Sequence, residues 1–228
     1  MKNYFQFSDW EKEIEKEGYI FLPVDKLGGD NFSHSKFISS FEKVYTQPNG
    51  ETTYAVKPRK RGIGEYHSQS MEGLLPHTEC YEYPNTPPRY LILWCIVPPK
   101  EGGETTLADG FRFFYSLKKQ VQEKLQKEKV IFHHYSGKGN DFIKHPIFES
   151  NIKGRIFRFS CKGMDSSNDP LLQSLIENCI SFFEKEKYLV RWKTCGDMLI
   201  IDNYRMLHAR NAFTDPNREI MRAWVDKD

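Results

Sequence analysis

At 228 residues the chain is long enough for one sizeable hydrophobic core and too short for two full domains. Its 33 basic and 31 acidic residues nearly cancel, with no long block of like charge, so composition gives no support to a nucleic-acid or membrane-surface partner. The opening Met1 to Trp10 lacks the apolar core of a signal peptide and no run is long enough to span a bilayer, which predicts a cytoplasmic protein.

Ser8 and Glu11 form a capping box, predicting a short helix that ends at Gly18 and is followed by a strand over Tyr19 to Val24. A second amphipathic helix is predicted over Ser35 to Tyr45, and a strand over Thr52 to Val56. Lys57 to Gly64 is basic and punctuated by glycine. It reads as a mobile surface loop, with a lid over a pocket as the alternative. Arg89 to Val97 is continuously apolar, as a strand buried on both faces should be, and Pro98-Pro99 ends it. After the Gly102-Gly103 turn and a short strand, Asp109 is placed to cap a helix predicted over Phe111 to Lys129.

Val130 to Tyr135 and Arg155 to Ser160 read as strands. Asp169-Pro170 starts a helix as an N-cap followed by proline should, and Leu171, Leu172, Leu175, Ile176, Cys179, Ile180 and Phe183 mark its buried face. Tyr188 to Trp192, Asp197 to Ile201 and Ile220 to Val225 complete the strands. Many short strands with helices inserted irregularly favour an antiparallel sandwich or barrel with helices outside, over a doubly wound sheet. Five cysteines, odd in number and without a C-x-x-C pair, read as reduced thiols in or near the core.

The chemistry is organised around Leu75-Pro-His-Thr-Glu-Cys80. In an extended segment side chains alternate, so His77 and Glu79 share a face and can hold one ion between them. The candidate third ligand is His208, at the end of a second apolar run. Two histidines and a carboxylate with open neighbouring positions make the facial triad of non-haem Fe(II) oxygenases. An H-x-E pair alone is a weak signal, and its company strengthens it. Arg218 and Arg222 follow His208 at a spacing that puts both on one face of a strand. A guanidinium grips a carboxylate bidentately, and Thr105 offers a hydroxyl to the same carboxylate. The plainer reading makes these arginines exposed strand charges. Tyr66, His67, Ser68 and Gln69, just upstream of the ligand segment, are candidate substrate contacts or ordinary loop residues. Asn203 and Arg210 are better placed to orient the His208 strand than to touch substrate. His133, His134 and His145 lack a partner pattern.

His77-Thr-Glu79, Gly102-Gly-Glu-Thr105, Asp202 to Arg210 and Arg218-x-x-x-Arg222, in that order, resemble the taurine dioxygenase and clavaminate synthase superfamily. The resemblance is firm from Pro76 to Gly110 and from Gly196 to Val225. It implies one double-stranded β-helix (jelly-roll) domain over residues 1–228, using Fe(II), 2-oxoglutarate and O2. The superfamily's iron ligands fall on His77, Glu79 and His208. Its arginine for the far carboxylate of 2-oxoglutarate falls on Arg218, with Thr105 as partner. Its second arginine falls on Arg222, which would meet co-substrate or an acidic group of the substrate.

Glu79 is similar to the clavaminate synthase branch rather than the H-x-D taurine branch, which turns the expectation away from taurine and toward an amino acid or specialised-metabolite intermediate. The carboxylate also fills the place a halide takes in the superfamily's halogenases, implying hydroxylation, with desaturation or ring closure as variants. The insert after Gly110 is short for the superfamily, implying an abbreviated lid. Two other readings share the scaffold: a metal-dependent hydrolase, and a non-catalytic metal-binding jelly roll. The first leaves Arg218, Arg222 and Thr105 unexplained, and a complete triad with an anion clamp argues against the second. Oligomeric state has no signature in the sequence.

Overall fold

The computed structural model describes residues 7–59, 67–133 and 142–227. Helix α1 (Phe7–Glu17) and strand β1 (Tyr19–Leu22) come first, then α2 (Val24–Leu27) and α3 (His34–Ser39). Strands β2 (Lys43–Val44), β3 (Tyr54–Val56), β4 (Leu74–His77), β5 (Tyr90–Val97) and β6 (Thr105–Asp109) follow. The middle of the chain holds α4 (Gly110–Ser116), α5 (Lys119–Lys127), the pair β7 (Val130–His133) and β8 (Phe142–His145), and the hairpin of β9 (Phe148–Asn151) and β10 (Gly154–Phe157). Helix α6 (Pro170–Glu186) precedes β11 (Tyr188–Val190), β12 (Met198–Asp202), β13 (Met206–Arg210) and β14 (Glu219–Asp226).

Two antiparallel sheets form the jelly roll. The larger runs β1-β12-β5-β14-β2, with β3 also on β14, and the smaller runs β11-β6-β13-β4. Strand alternation sorts their side chains into layers. Leu91, Leu93, Cys95, Leu199, Ile201, Ile220 and Trp224 of the larger sheet meet Leu107, Val190 and Met206 of the smaller one between the sheets. The opposite face of the larger sheet, with Ile92, Trp94, Met198, Ile200, Ala223 and Val225, is covered by Trp10 and Ile14 of α1 and by Ile38 and Phe41. The back of the smaller sheet, with Ala108, Leu207 and Ala209, is covered by Phe113, Phe114, Leu125, Leu172, Leu175, Cys179 and Phe183 from α4, α5 and α6. On β13 the alternation therefore turns Met206, His208 and Arg210 inward, toward the space between the sheets, while Leu207 and Ala209 face the helices.

Several predicted elements differ in extent. The single helix expected over Phe111 to Lys129 is two, because Leu117 and Lys118 are extended (ψ 155° and 142°) and Gln122 donates to the carbonyl oxygens of Tyr115 and Leu117. The break lets Phe113 and Leu125 point into one cluster from two helix directions. The helix expected over Ser35 to Tyr45 stops at Ser39, because Lys43 and Val44 pair with Asp226 and Val225 at the sheet edge. Both predicted aspartate caps are present: Asp109 accepts from the backbone of Phe111 and Arg112, and Asp169 from that of Leu171 and Leu172. All five cysteines are free thiols. Among the described residues no helix is long and apolar enough to cross a membrane.

Candidate active site

One feature of the fold brings distant residues together: His208 on β13 stands directly opposite His77 on β4 in the antiparallel register. Their rings lie 4.2 Å apart, centroid to centroid. The His77 ring is oriented by the Leu75 carbonyl oxygen, 2.8 Å from Nδ1. A carbonyl only accepts, so Nδ1 carries the proton and the Nε2 lone pair is left for a metal.

Glu79 is not placed by strand alternation, as the sequence reading expected. The strand ends at His77, and the chain turns at Cys80, whose φ of 54° lies in the left-handed region. Asn203 does the placing. Its Oδ1 accepts from the Glu79 backbone N–H at 2.6 Å, and its Nδ2 donates to the carbonyl oxygens of Glu79 and Pro88 at 3.0 and 2.9 Å. The next turn, Tyr81 to Asn85, is held by the buried Arg158, which donates to the carbonyl oxygens of Tyr81, Tyr83 and Asn85.

With these supports, Glu79 Oε2 lies 3.3 Å from His208 Nε2 and 3.9 Å from His77 Nε2. One ligand atom from each of the three residues falls within 4.8 Å of the others. Neighbouring ligands at about 2.1 Å from one ion stand roughly 3 Å apart, so the three need to close only slightly to hold a first-row metal. Electrostatics agree with that use. Burial and the neighbouring His208 push His77 down to about 3, so it is a neutral ligand at ordinary pH. Burial would raise Glu79, but Arg222, His208 and His77 outweigh it and keep the carboxyl well below its usual range.

Beside the triad lies a pocket lined by Ser68, Leu74, Leu75, Thr105, Ser160, Lys162, Arg210, Arg218 and Arg222 among others. Arg218 reaches it through a two-glycine turn. A Cβ at Gly102 would come within 2.2 Å of the Ala212 carbonyl oxygen, and one at Gly103 within 2.9 Å of Arg218 Nε, while both residues have φ near +70°. Only glycine fits that path. Arg218 is 2 % exposed, donates from Nη2 to the Gly103 carbonyl, and packs over Phe213. Its Nε and Nη1 have no hydrogen-bond partner among the described residues. Burial lowers it to about 10, which leaves it cationic. A buried cation with unused donors on a pocket wall fits an anionic ligand, and a carboxylate is the natural match for a guanidinium. Thr105 lines the same pocket, its Oγ1 accepting from Trp192 Nε1 at 3.2 Å.

Other sequence expectations are redistributed. Arg222, expected to meet co-substrate or an acidic group of the substrate, lines the pocket and donates from Nη1 to Glu79 Oε1 at 2.7 Å and from Nε to Gln47. The reason is strand alternation on β14, which stacks Arg222 against Trp224, 4.4 Å from its ring and within reach of the carboxylate. Ser68 lines the pocket. Gln69 does not: its amide donates to the Tyr54 hydroxyl in a buried contact. Tyr66 lies outside the described residues, as do His134 and residues 60–64 of the basic loop. Arg210 donates to the carbonyl oxygens of Ser68, Ser70 and Glu72, fixing the segment over residues 68–72. His133 and His145 contact Asp165 and the Pro84 carbonyl, away from the triad.

Sequence reasoning missed Trp224, whose Nε1 donates to Glu79 Oε1 at 3.1 Å. The signal was present in the two-residue step from Arg222, which puts both side chains on one face of a strand.

Comparison with known proteins agrees with this geometry. The family model "Taurine catabolism dioxygenase TauD, TfdA family" matches residues 9–224. Human gamma-butyrobetaine dioxygenase is 26% identical over 172 residues, covering 67% of this chain and 44% of that protein. The chain thus spans less than half the length of this curated relative. A structure titled as asparagine oxygenase in complex with Fe(II), 3-hydroxyasparagine and succinate superposes with a TM-score of 0.66 at 18% identity, covering 78% of this chain and 57% of that one. A putative alpha-ketoglutarate-dependent taurine dioxygenase from Burkholderia xenovorans gives 0.69 at 15% identity, covering 99% and 83%. At such identities the likeness concerns the fold.

Proposed function

The chain belongs to the TauD, TfdA family, and from that premise we propose that it is an Fe(II)- and 2-oxoglutarate-dependent oxygenase hydroxylating an unactivated C–H bond of a small polar substrate. The observation that carries the reading is the conjunction of a metal-competent His77-Glu79-His208 cluster with a buried, under-partnered Arg218 on the same pocket wall.

In this reading His77 Nε2, Glu79 Oε2 and His208 Nε2 hold the iron. Arg218 receives the far carboxylate of 2-oxoglutarate, and Thr105 supplies a hydroxyl to it. When bound, Fe(II) and 2-oxoglutarate supply the oxidising chemistry: 2-oxoglutarate, O2 and a C–H bond become succinate, CO2 and a C–OH group. The protein's own contribution is placement. Leu75 fixes the His77 tautomer, Asn203 fixes the Glu79 backbone, and the Gly102-Gly103 turn lets Arg218 enter the pocket. The apolar wall of Leu74, Leu91, Leu93 and Ile220 limits water beside the metal. Ser68, Tyr81, Glu82, Ser160 and Lys162 are among the polar side chains of the remaining wall and would face the substrate. We assign the substrate to small amino acids or related biosynthetic intermediates, a class supported by the asparagine oxygenase likeness and by Glu79 in place of aspartate. We treat residues 1–228 as one oxygenase domain, because both sheets share a single central core.

Purified protein with Fe(II), ascorbate and 2-oxoglutarate is expected to release succinate slowly without substrate and faster with the correct amino acid. His77→Ala abolishes both. Absence of any 2-oxoglutarate turnover in the iron-loaded wild type sinks the proposal.

A further inference from the structure

The two oxygens of Glu79 have different surroundings. Oε2 faces both imidazoles. Oε1 faces away and is engaged twice, by Arg222 Nη1 at 2.7 Å and Trp224 Nε1 at 3.1 Å. Neither donor is free to follow the carboxylate. Trp224 is buried between the sheets. Arg222 is fixed by Gln47 Oε1 at 3.1 Å and lies over the rings of Tyr54 and Trp224. Turning Oε1 toward the imidazoles would break a charge-assisted bond and strip a buried indole N–H of its acceptor.

This matters because coordination positions are scarce. An octahedral ion with three protein ligands keeps three open positions. A chelating keto acid takes two, and O2 needs the third. A carboxylate bound through both oxygens would leave the set one short. Building on the oxygenase reading, we propose that Trp224 and Arg222 are positioning residues that hold Glu79 to one-oxygen ligation and so keep the co-substrate positions open. Arg222 acts through Glu79 and not on the co-substrate.

The test is anaerobic titration of the iron-loaded protein with 2-oxoglutarate, followed by the visible charge-transfer absorption of a chelated keto acid, together with Mn(II) affinity measured separately. Trp224→Phe keeps the ring and removes the N–H. It is expected to weaken 2-oxoglutarate binding roughly tenfold and to shift the band, as loss of a supporting partner does at metal sites. Mn(II) affinity is expected to be equal or tighter, because freed Oε1 becomes an extra ligand atom. Arg222→Met is expected to act in the same direction, with partial recovery in Arg222→Lys, which gives a second route should the tryptophan variant fold poorly.

Variants that match wild type in band and affinity overturn the inference and leave the oxygenase reading standing. Parallel loss of Mn(II) and 2-oxoglutarate marks a merely structural role and also overturns it. A wild type that binds no 2-oxoglutarate overturns the oxygenase reading itself.

Discussion

Arg218 shows how function and stability pull apart at one residue. It is a buried cation without a carboxylate partner among the described residues, an arrangement that costs stability in the ligand-free protein. Arg218→Gln is therefore expected to raise the KM for 2-oxoglutarate roughly ten- to hundredfold, the equivalent of losing charged hydrogen bonds of about 1.5–3 kcal/mol. The Tm of the metal-free variant is expected to hold or rise. A variant with unchanged KM would remove Arg218 from the co-substrate site. This residue was legible in the sequence because its spacing from His208 and its companion glycines carry the pattern. Glu79 was legible as a candidate ligand but not as a placed group. What fixes it, Asn203 and Trp224, lies 124 and 145 residues away in sequence, and hydrogen bonds of that span leave no local periodicity to read.

At the scale of elements, the strands were more legible than the helices. The unbroken apolar runs of β5 and β12 reflect burial on both faces, and that survives in the residue pattern. The break between α4 and α5 does not, because the amphipathic spacing continues across Leu117 and Lys118 while the backbone leaves the helix. Strands β8 and β9 are equally silent, since their faces alternate only between half-buried and exposed over most of their length. The two aspartate N-caps were read correctly, Asp169 of α6 being the clearer case, whereas the capping box expected at Ser8 falls inside α1, which begins at Phe7. Asp169→Ala is expected to cost about 1 kcal/mol, lowering the Tm by about 2–4 °C in a domain of this size. Since α6 packs behind the smaller sheet, 2-oxoglutarate turnover at room temperature should be unchanged. A large activity loss would show that the helix supports the site more directly than its place in the fold indicates.

The molecule as a whole inherits a pH dependence from its site. Unfolded imidazoles take a proton near pH 6.5, whereas folded His77 resists until about 3. Between those values the unfolded chain binds more protons, so acidification favours unfolding. Glu79 acts in the same direction at lower pH, because its carboxyl is held below the usual range when folded. The Tm of the metal-free protein is expected to fall as pH drops below about 6.5, with a shallower slope in His77→Ala. A flat profile down to pH 4 would contradict the buried, neutral His77.

The pairing of β4 with β13 has a further bearing on how the protein comes into being. A nascent chain cannot own the centre until β13 has been made and has folded back onto β4, because the first histidine waits for its partner there. Until the closing strands arrive, a nascent fragment offers iron only an isolated imidazole and an unrestrained acid, both poor catchers of the ion. The proposed oxidative chemistry is thereby withheld from the unfinished chain, whose methionines and thiols would be its nearest victims.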